Sequence, residues 1–73
     1  MAWTALRWRG AEYTAPQLID AAKRFAKESG CVFQAYEIYD DCELLMISAL
    51  DEAGESVGLE LPLDDLPVYL NRG

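Results

Sequence analysis

The hydrophobic period of this chain changes once, at Gly30, and that change governs what it can fold into. Before it, YTAPQLIDAAKRFAKESG sets Leu18, Ile19, Ala22, Phe25 and Ala26 at helical spacing, with Asp20, Lys23, Arg24 and Lys27 on the other side. Thr14 can cap the first turn with Gln17 reaching back, Tyr13 and Leu18 can staple it, and Pro16 suits a first-turn position. Gly30 stands where a helix end needs a left-handed residue. The pattern predicts a helix over about 15–29.

After Gly30 the period is two. VFQAYEIY (32–39) is rich in aromatic and β-branched residues, ELLMISAL (43–50) is almost continuously apolar, and SVGLELPL (56–63) alternates, with Val57, Leu59, Leu61 and Leu63 on one face. The connections DDC and DEAGE are short and polar, so both pairs of segments predict antiparallel hairpins. Ahead of the helix, WTALRWR (3–9) predicts a strand ending at Gly10, with Leu6 and Trp8 turned to the core. The tail DDLPVYLNRG predicts one short helix capped by Asp64, with Asp65 in its first turn. The expected fold is α+β: a single domain over 1–73, one amphipathic helix on a mainly antiparallel four-stranded sheet (β-α-β-β-β), and a short C-terminal helix.

Seventy-three residues leave a thin core, worth roughly 3 to 5 kcal/mol. ELLMISAL sharpens the point, because Leu44 and Met46 project one way, Leu45 and Ile47 the other, and one helix covers one face. The expectation is that the C-terminal LPVYL segment covers the second face. The alternative is a second subunit or a partner on that face, the former in a homodimer that Ile47→Asp would break.

Charge is distributed unevenly. Residues 1–28 hold five bases against three acids, whereas 29–73 hold ten acids and Arg72, with no Lys or Arg from Ser29 to Asn71. Such a segment repels phosphate and anionic lipid, so neither direct nucleic-acid nor membrane binding is expected, and a basic protein surface is its complement. The tryptophan–arginine cluster near the start is read as core and snorkelling or paired arginines, and Lys23, Arg24 and Lys27 as a solvated helix face with an Asp20–Arg24 pair. Cys31 and Cys42 flank an apparent strand, too far apart for a disulfide, and are expected to be free thiols. With no apolar run of signal-peptide length in MAWTALRWRG, a cytoplasmic location is expected.

Chemistry finds little to work with. There is no histidine, the two cysteines are separated by a strand, and neither YDDCE nor DEAGE has the oxygen spacing of a calcium loop. No metal or other cofactor is expected. Without histidine no ordinary base activates Ser29, Ser48, Ser56 or either thiol, and neighbouring acids oppose ionisation of Cys42. Asp40–Asp41 and Asp64–Asp65 read as turn and cap residues, so no catalytic residue is assigned.

What remains is a display of carboxylates. Glu37 and Glu60 face away from their apolar neighbours, and the turns add Asp40, Asp41, Glu43, Asp51, Glu52 and Glu55, at opposite ends of the sheet and about 20 Å apart. Such spacing can imitate a short run of phosphate backbone, with Phe33, Tyr36 and Tyr39 as anchors between the charges. The expected partner-binding set is Glu37, Tyr39, Asp40, Asp41, Glu43, Asp51, Glu52, Glu55 and Glu60.

In size, acidity, lack of histidine and element order the chain resembles small inhibitor proteins of phages and mobile elements: anti-CRISPR proteins, anti-restriction proteins and uracil-glycosylase inhibitors. The resemblance implies a protein without chemistry of its own, a DNA mimic that occupies a basic nucleic-acid channel of a host complex. A small regulatory or assembly subunit acting as a homodimer is the alternative.

Overall fold

A computed structural model describes residues 4–70. Trp3, the expected start of the first strand, and the tail from Asn71 lie outside the described residues.

The expected four-stranded sheet is two sheets. Strand β1 (Thr4–Trp8) pairs antiparallel with β2 (Ala11–Thr14), a strand that the sequence pattern does not announce. Arg9 and Gly10 connect them with φ of 49° and 82°. Two consecutive positive φ values make the tight turn whose twist matches that of a hairpin. The hydrogen bonds of β1 are therefore met locally, and it joins a two-stranded hairpin instead of the main sheet.

Helix α1 (Ala15–Glu28) carries the capping box that Thr14 and Gln17 predict: the Thr14 backbone N–H donates to Gln17 Oε1 at 2.8 Å, and the Gln17 N–H to the Thr14 hydroxyl. At its other end Cys31 N–H reaches the Ala26 carbonyl at 2.8 Å around Gly30, whose φ is 76°. That is the paired C-terminal closure a left-handed glycine permits. Leu18, Ala21, Ala22 and Ala26 are buried, and three alanines in this row bring the helix close to the sheet.

Strands β3 (Val32–Tyr39), β4 (Leu44–Leu50) and β5 (Ser56–Pro62) form the main sheet in the order β3-β4-β5. The β3–β4 turn is a 3₁₀ turn at Asp40–Cys42 ending on Glu43 in the left-handed region, so β4 begins at Leu44, one residue after the expected start. The β4–β5 turn closes through Asp51 N–H to the Glu55 carbonyl at 2.9 Å, with Gly54 at φ 79°.

A bulge between Phe33 and Ala35 inserts Gln34 and shifts the alternation of β3. Phe33 then shares the inner face with Tyr36 and Ile38, opposite Ala49, Ile47 and Leu45. Leu45, Ile47, Leu61, Leu63, Leu66 and Leu18 are fully buried in one cluster that also holds Leu6 and Tyr13 of the hairpin.

Helix α2 (Leu66–Leu70) follows a 3₁₀ turn at Leu63–Asp65. It packs on α1, where the Phe25 and Tyr69 rings meet edge to face at 5.6 Å and Arg24 Nη1 donates to the Tyr69 carbonyl at 3.0 Å. LPVYL thus lies on the helix side and does not cover the second face of β4, contrary to expectation. Leu66 and Leu63 are carried into the same inner cluster as Leu45, and this fixes the side. Asp64 does not cap α2 either, because Trp8 and Arg9 take its carboxylate.

Candidate docking face and acidic rim

With α1 and α2 on the inner side, the outer face of β3–β5 has no layer over it among the described residues. The register sorts its side chains into four rows running across the strands. These are Tyr39–Leu44–Pro62, Glu37–Met46–Glu60, Ala35–Ser48–Gly58 and Val32–Leu50–Ser56. Val32 is 64% exposed and Tyr39 39%, while Leu44, Met46 and Leu50 are half-buried.

The rows differ in height. Ala35, Ser48 and Gly58 make a low floor between the Glu37–Met46–Glu60 row and the Val32–Leu50 row. Alternate residues on one face lie about 6.6 Å apart along a strand, so the two walls stand about 13 Å apart. Neighbouring strands are about 4.8 Å apart, which puts Glu37 and Glu60 about 10 Å apart with Met46 between them. Gly58 requires no left-handed φ, and a Cβ there would meet nothing nearer than Met46 Sδ at 3.9 Å, an ordinary contact. The internal packing of this chain therefore does not demand glycine at 58.

The nine expected partner-binding residues divide by this geometry. Glu37, Tyr39 and Glu60 share the outer face, and Asp40 and Asp41 extend it at the end of the sheet. Asp51, Glu52 and Glu55 lie at the opposite end of the sheet, about 20 Å away. Glu43 is turned to Arg9 Nη2 at 3.4 Å, which offsets its charge. Asp51 Oδ1 accepts from the Ala53 and Glu55 N–H groups, both at 2.9 Å, so it organises its own turn. Phe33 and Tyr36, expected as anchors between the charges, are on the inner face, Tyr36 by alternation with Ile38 and Phe33 through the Gln34 bulge, and only Tyr39 of the three is outward. The sequence signal that was missed is the low row, which appears only when the register of three strands is known.

Tyr39 Oη donates to Glu37 Oε2 at 2.8 Å, holding that carboxylate over the face. This hydrogen bond, and the negative charge it serves, raise the Tyr39 phenol above its ordinary value of 10.0. Lys23 and Lys27 are exposed on α1, on the side of the helix away from its buried Leu18, Ala21, Ala22 and Ala26 and so away from the sheet.

Two shallow clefts offer little chemistry. One lies between Ser29–Cys31 and Asp51–Ala53, where Cys31 Sγ donates to the Ser29 carbonyl at 3.6 Å and Asp51 serves its own loop. The other runs beside Trp8, Tyr13, Leu63 and Pro67, and its carboxylate, Asp64, is engaged by Trp8 and Arg9. Cys31 and Cys42 are free thiols, and no helix among the described residues is long and apolar enough to cross a membrane.

In comparisons with protein-family models, curated proteins and solved structures, nothing matches this chain.

Proposed function

We propose that the protein is a non-catalytic, protein-binding inhibitor of the anti-CRISPR-like kind, which blocks the nucleic-acid-binding channel of a host defence complex by docking on its basic surface. One observation carries the reading: Glu37, Glu60, Asp40 and Asp41 are exposed together on an uncovered sheet face and its adjoining turn, while the exposed lysines of α1 point the other way. Carboxylates with no cation beside them, around an apolar patch, speed the encounter with a cationic surface, and the patch supplies contact area once it is reached. In this role the protein acts in the host cytoplasm, is encoded by a phage or mobile element, and needs no cofactor.

The test is retention of a nucleic-acid-processing complex from host extract at low and high salt, with Asp40→Lys/Asp41→Lys as the comparison. Glu43 is left intact because it pairs with Arg9. The reading expects salt-sensitive retention, loss in the double variant, and displacement of nucleic acid from the retained complex. Retention indifferent to salt and to the double variant sinks it. The same uncovered face favours a second reading, a regulatory subunit that dimerises through it, and sedimentation at two concentrations separates the two.

A further inference from the structure

We infer that the trough across the outer face of β3–β5 receives a basic amphipathic helix of the partner protein, lying over Ala35, Ser48 and Gly58 and held by Glu37 and Glu60. The inference rests on the protein-binding reading above and specifies its surface and the chemistry of its partner.

Three features of the face converge on a helix. The Cα cylinder of a helix is about 4.6 Å across, and the wall rows stand about 13 Å apart centre to centre, so a helix backbone can settle over the floor while its side chains overlie the walls. Residues seven apart on one helix face are separated by about 10.5 Å along its axis, close to the roughly 10 Å between Glu37 and Glu60. Cations at such positions, with apolar residues three and four along, place the apolar pair on Met46 and a charge at each carboxylate. Glu37 is held by Tyr39 with one oxygen, leaving the other for the cation, and an arginine there can also stack on the Tyr39 ring.

Gly58 is the independent sign. Glycine weakens a strand interior and marks places where another backbone approaches closely. Neither backbone angle nor internal packing requires it at this position. A partner over the trough gives a small residue there a reason, because a side chain larger than those of Ala35 and Ser48 would stand above the floor.

A second copy of this chain fits less well. Stacking two copies face to face about Met46 sets Glu37 and Glu60 against their counterparts, in a protein of net charge -7. The face also spans about 14 by 23 Å, about 300 Å² in projection. A stable pair buries about 800 Å² on each side.

The experiment titrates the ¹⁵N-labelled full chain with a sixteen-residue helical peptide carrying arginines at positions i and i+7 and leucines at i+3 and i+4, and with the same peptide bearing glutamates for arginines. Saturable shifts at Ala35, Glu37, Met46, Ser48, Gly58 and Glu60 with the arginine peptide alone are expected. Affinity should fall roughly three- to tenfold in Glu37→Gln/Glu60→Gln. It should fall at least tenfold in Gly58→Val and in Ser48→Leu, the second being an exposed position that keeps the test open if the first fails to fold. Absent or unsaturable shifts, shifts centred on α1 or the hairpin, equal binding of the glutamate peptide, or affinity unchanged in the variants overturns the inference. So does concentration-dependent dimerisation that Gly58→Val abolishes. No host complex enters the titration, so its failure is distinguishable from failure of the Asp40–Asp41 test.

Discussion

Trp8 Nε1 donates to Asp64 Oδ1 at 2.8 Å, joining the tip of the β1–β2 hairpin to the turn that leads into α2. Arg9 Nε bonds the same oxygen, and the Arg9 guanidinium lies 5.1 Å from the Trp8 ring. One carboxylate thereby adds a polar tie to a hairpin whose Leu6 and Tyr13 enter the core but whose strands pair with none in the main sheet. The left-handed Arg9 aims its own side chain at this carboxylate and at Glu43.

Asp64 makes the hairpin contact acid-sensitive. The hydrogen bonds from Trp8 and Arg9 lower its carboxyl below the ordinary 3.8, with partial desolvation opposing them. A lowered folded-state value means that the contact contributes fully above the unfolded value and is lost as pH falls through the folded one. The melting temperature of the native chain should therefore drop below about pH 4 more steeply than that of Asp64→Ala. Parallel curves for the two proteins between pH 2 and 5 would exclude the contact in solution.

The two faces of β4 predict opposite responses to charge. Ile47 is fully buried in the core of its own chain, so Ile47→Asp should abolish folding instead of dissociating a dimer. Leu45→Ala should cost about 2 to 5 kcal/mol, most of what a domain of this size has. Met46→Lys, on the outer face between Glu37 and Glu60, should leave a folded chain with a similar denaturation midpoint. Circular dichroism in urea separates the three, and unfolding by Met46→Lys would mean that the outer face is covered.

The helix and the three period-two segments were legible because each carries its own local signal: a capping box, a C-terminal glycine, or alternation. Two misreadings have local causes as well. Arg9–Gly10 lacks the asparagine or aspartate that usually announces a two-residue hairpin turn, so the strand Ala11–Thr14 goes unannounced. Nothing in VFQAYEIY marks Gln34 as an extra residue, and only pairing with β4 shows that Phe33 and Tyr36 share a face. The side on which LPVYL packs was beyond reach for a different reason. Leu66 and Tyr69 suit either side of a sheet, and the 3₁₀ turn at Leu63–Asp65 decides between them. For the candidate site the acids were readable and the trough was not, since a row of Ala35, Ser48 and Gly58 has no meaning until three strands are aligned.

Glu43 carries a testable backbone strain. Its φ is 58°, a region that costs a non-glycine residue roughly 1 kcal/mol and that asparagine tolerates better. Glu43→Asn gives up an exposed pair with Arg9 at 3.4 Å, worth a few tenths of a kcal/mol at most. Strain relief should exceed that loss, and urea denaturation should show a gain of about 0.5 kcal/mol. A net loss would mean that the Arg9–Glu43 pair matters more to the hairpin than its exposure suggests.

The Tyr39–Glu37 hydrogen bond gives a direct readout of the proposed cation site. Donation to Glu37 and its negative charge, with smaller contributions from desolvation and Cys42, hold the Tyr39 phenol above 10.0. A raised folded-state value places the stabilisation below the unfolded value, and it is lost as pH rises through the folded one. Glu37→Gln removes the two largest causes, so the Tyr39 titration, followed by its ring ¹³C shift from pH 8 to 12, should move back toward 10.0. In the native chain, saturation with the arginine peptide should move the titration the same way, because a guanidinium on Glu37 offsets the charge that opposes phenolate formation. A midpoint that moves with Glu37→Gln but not with bound peptide would place the arginine somewhere other than Glu37.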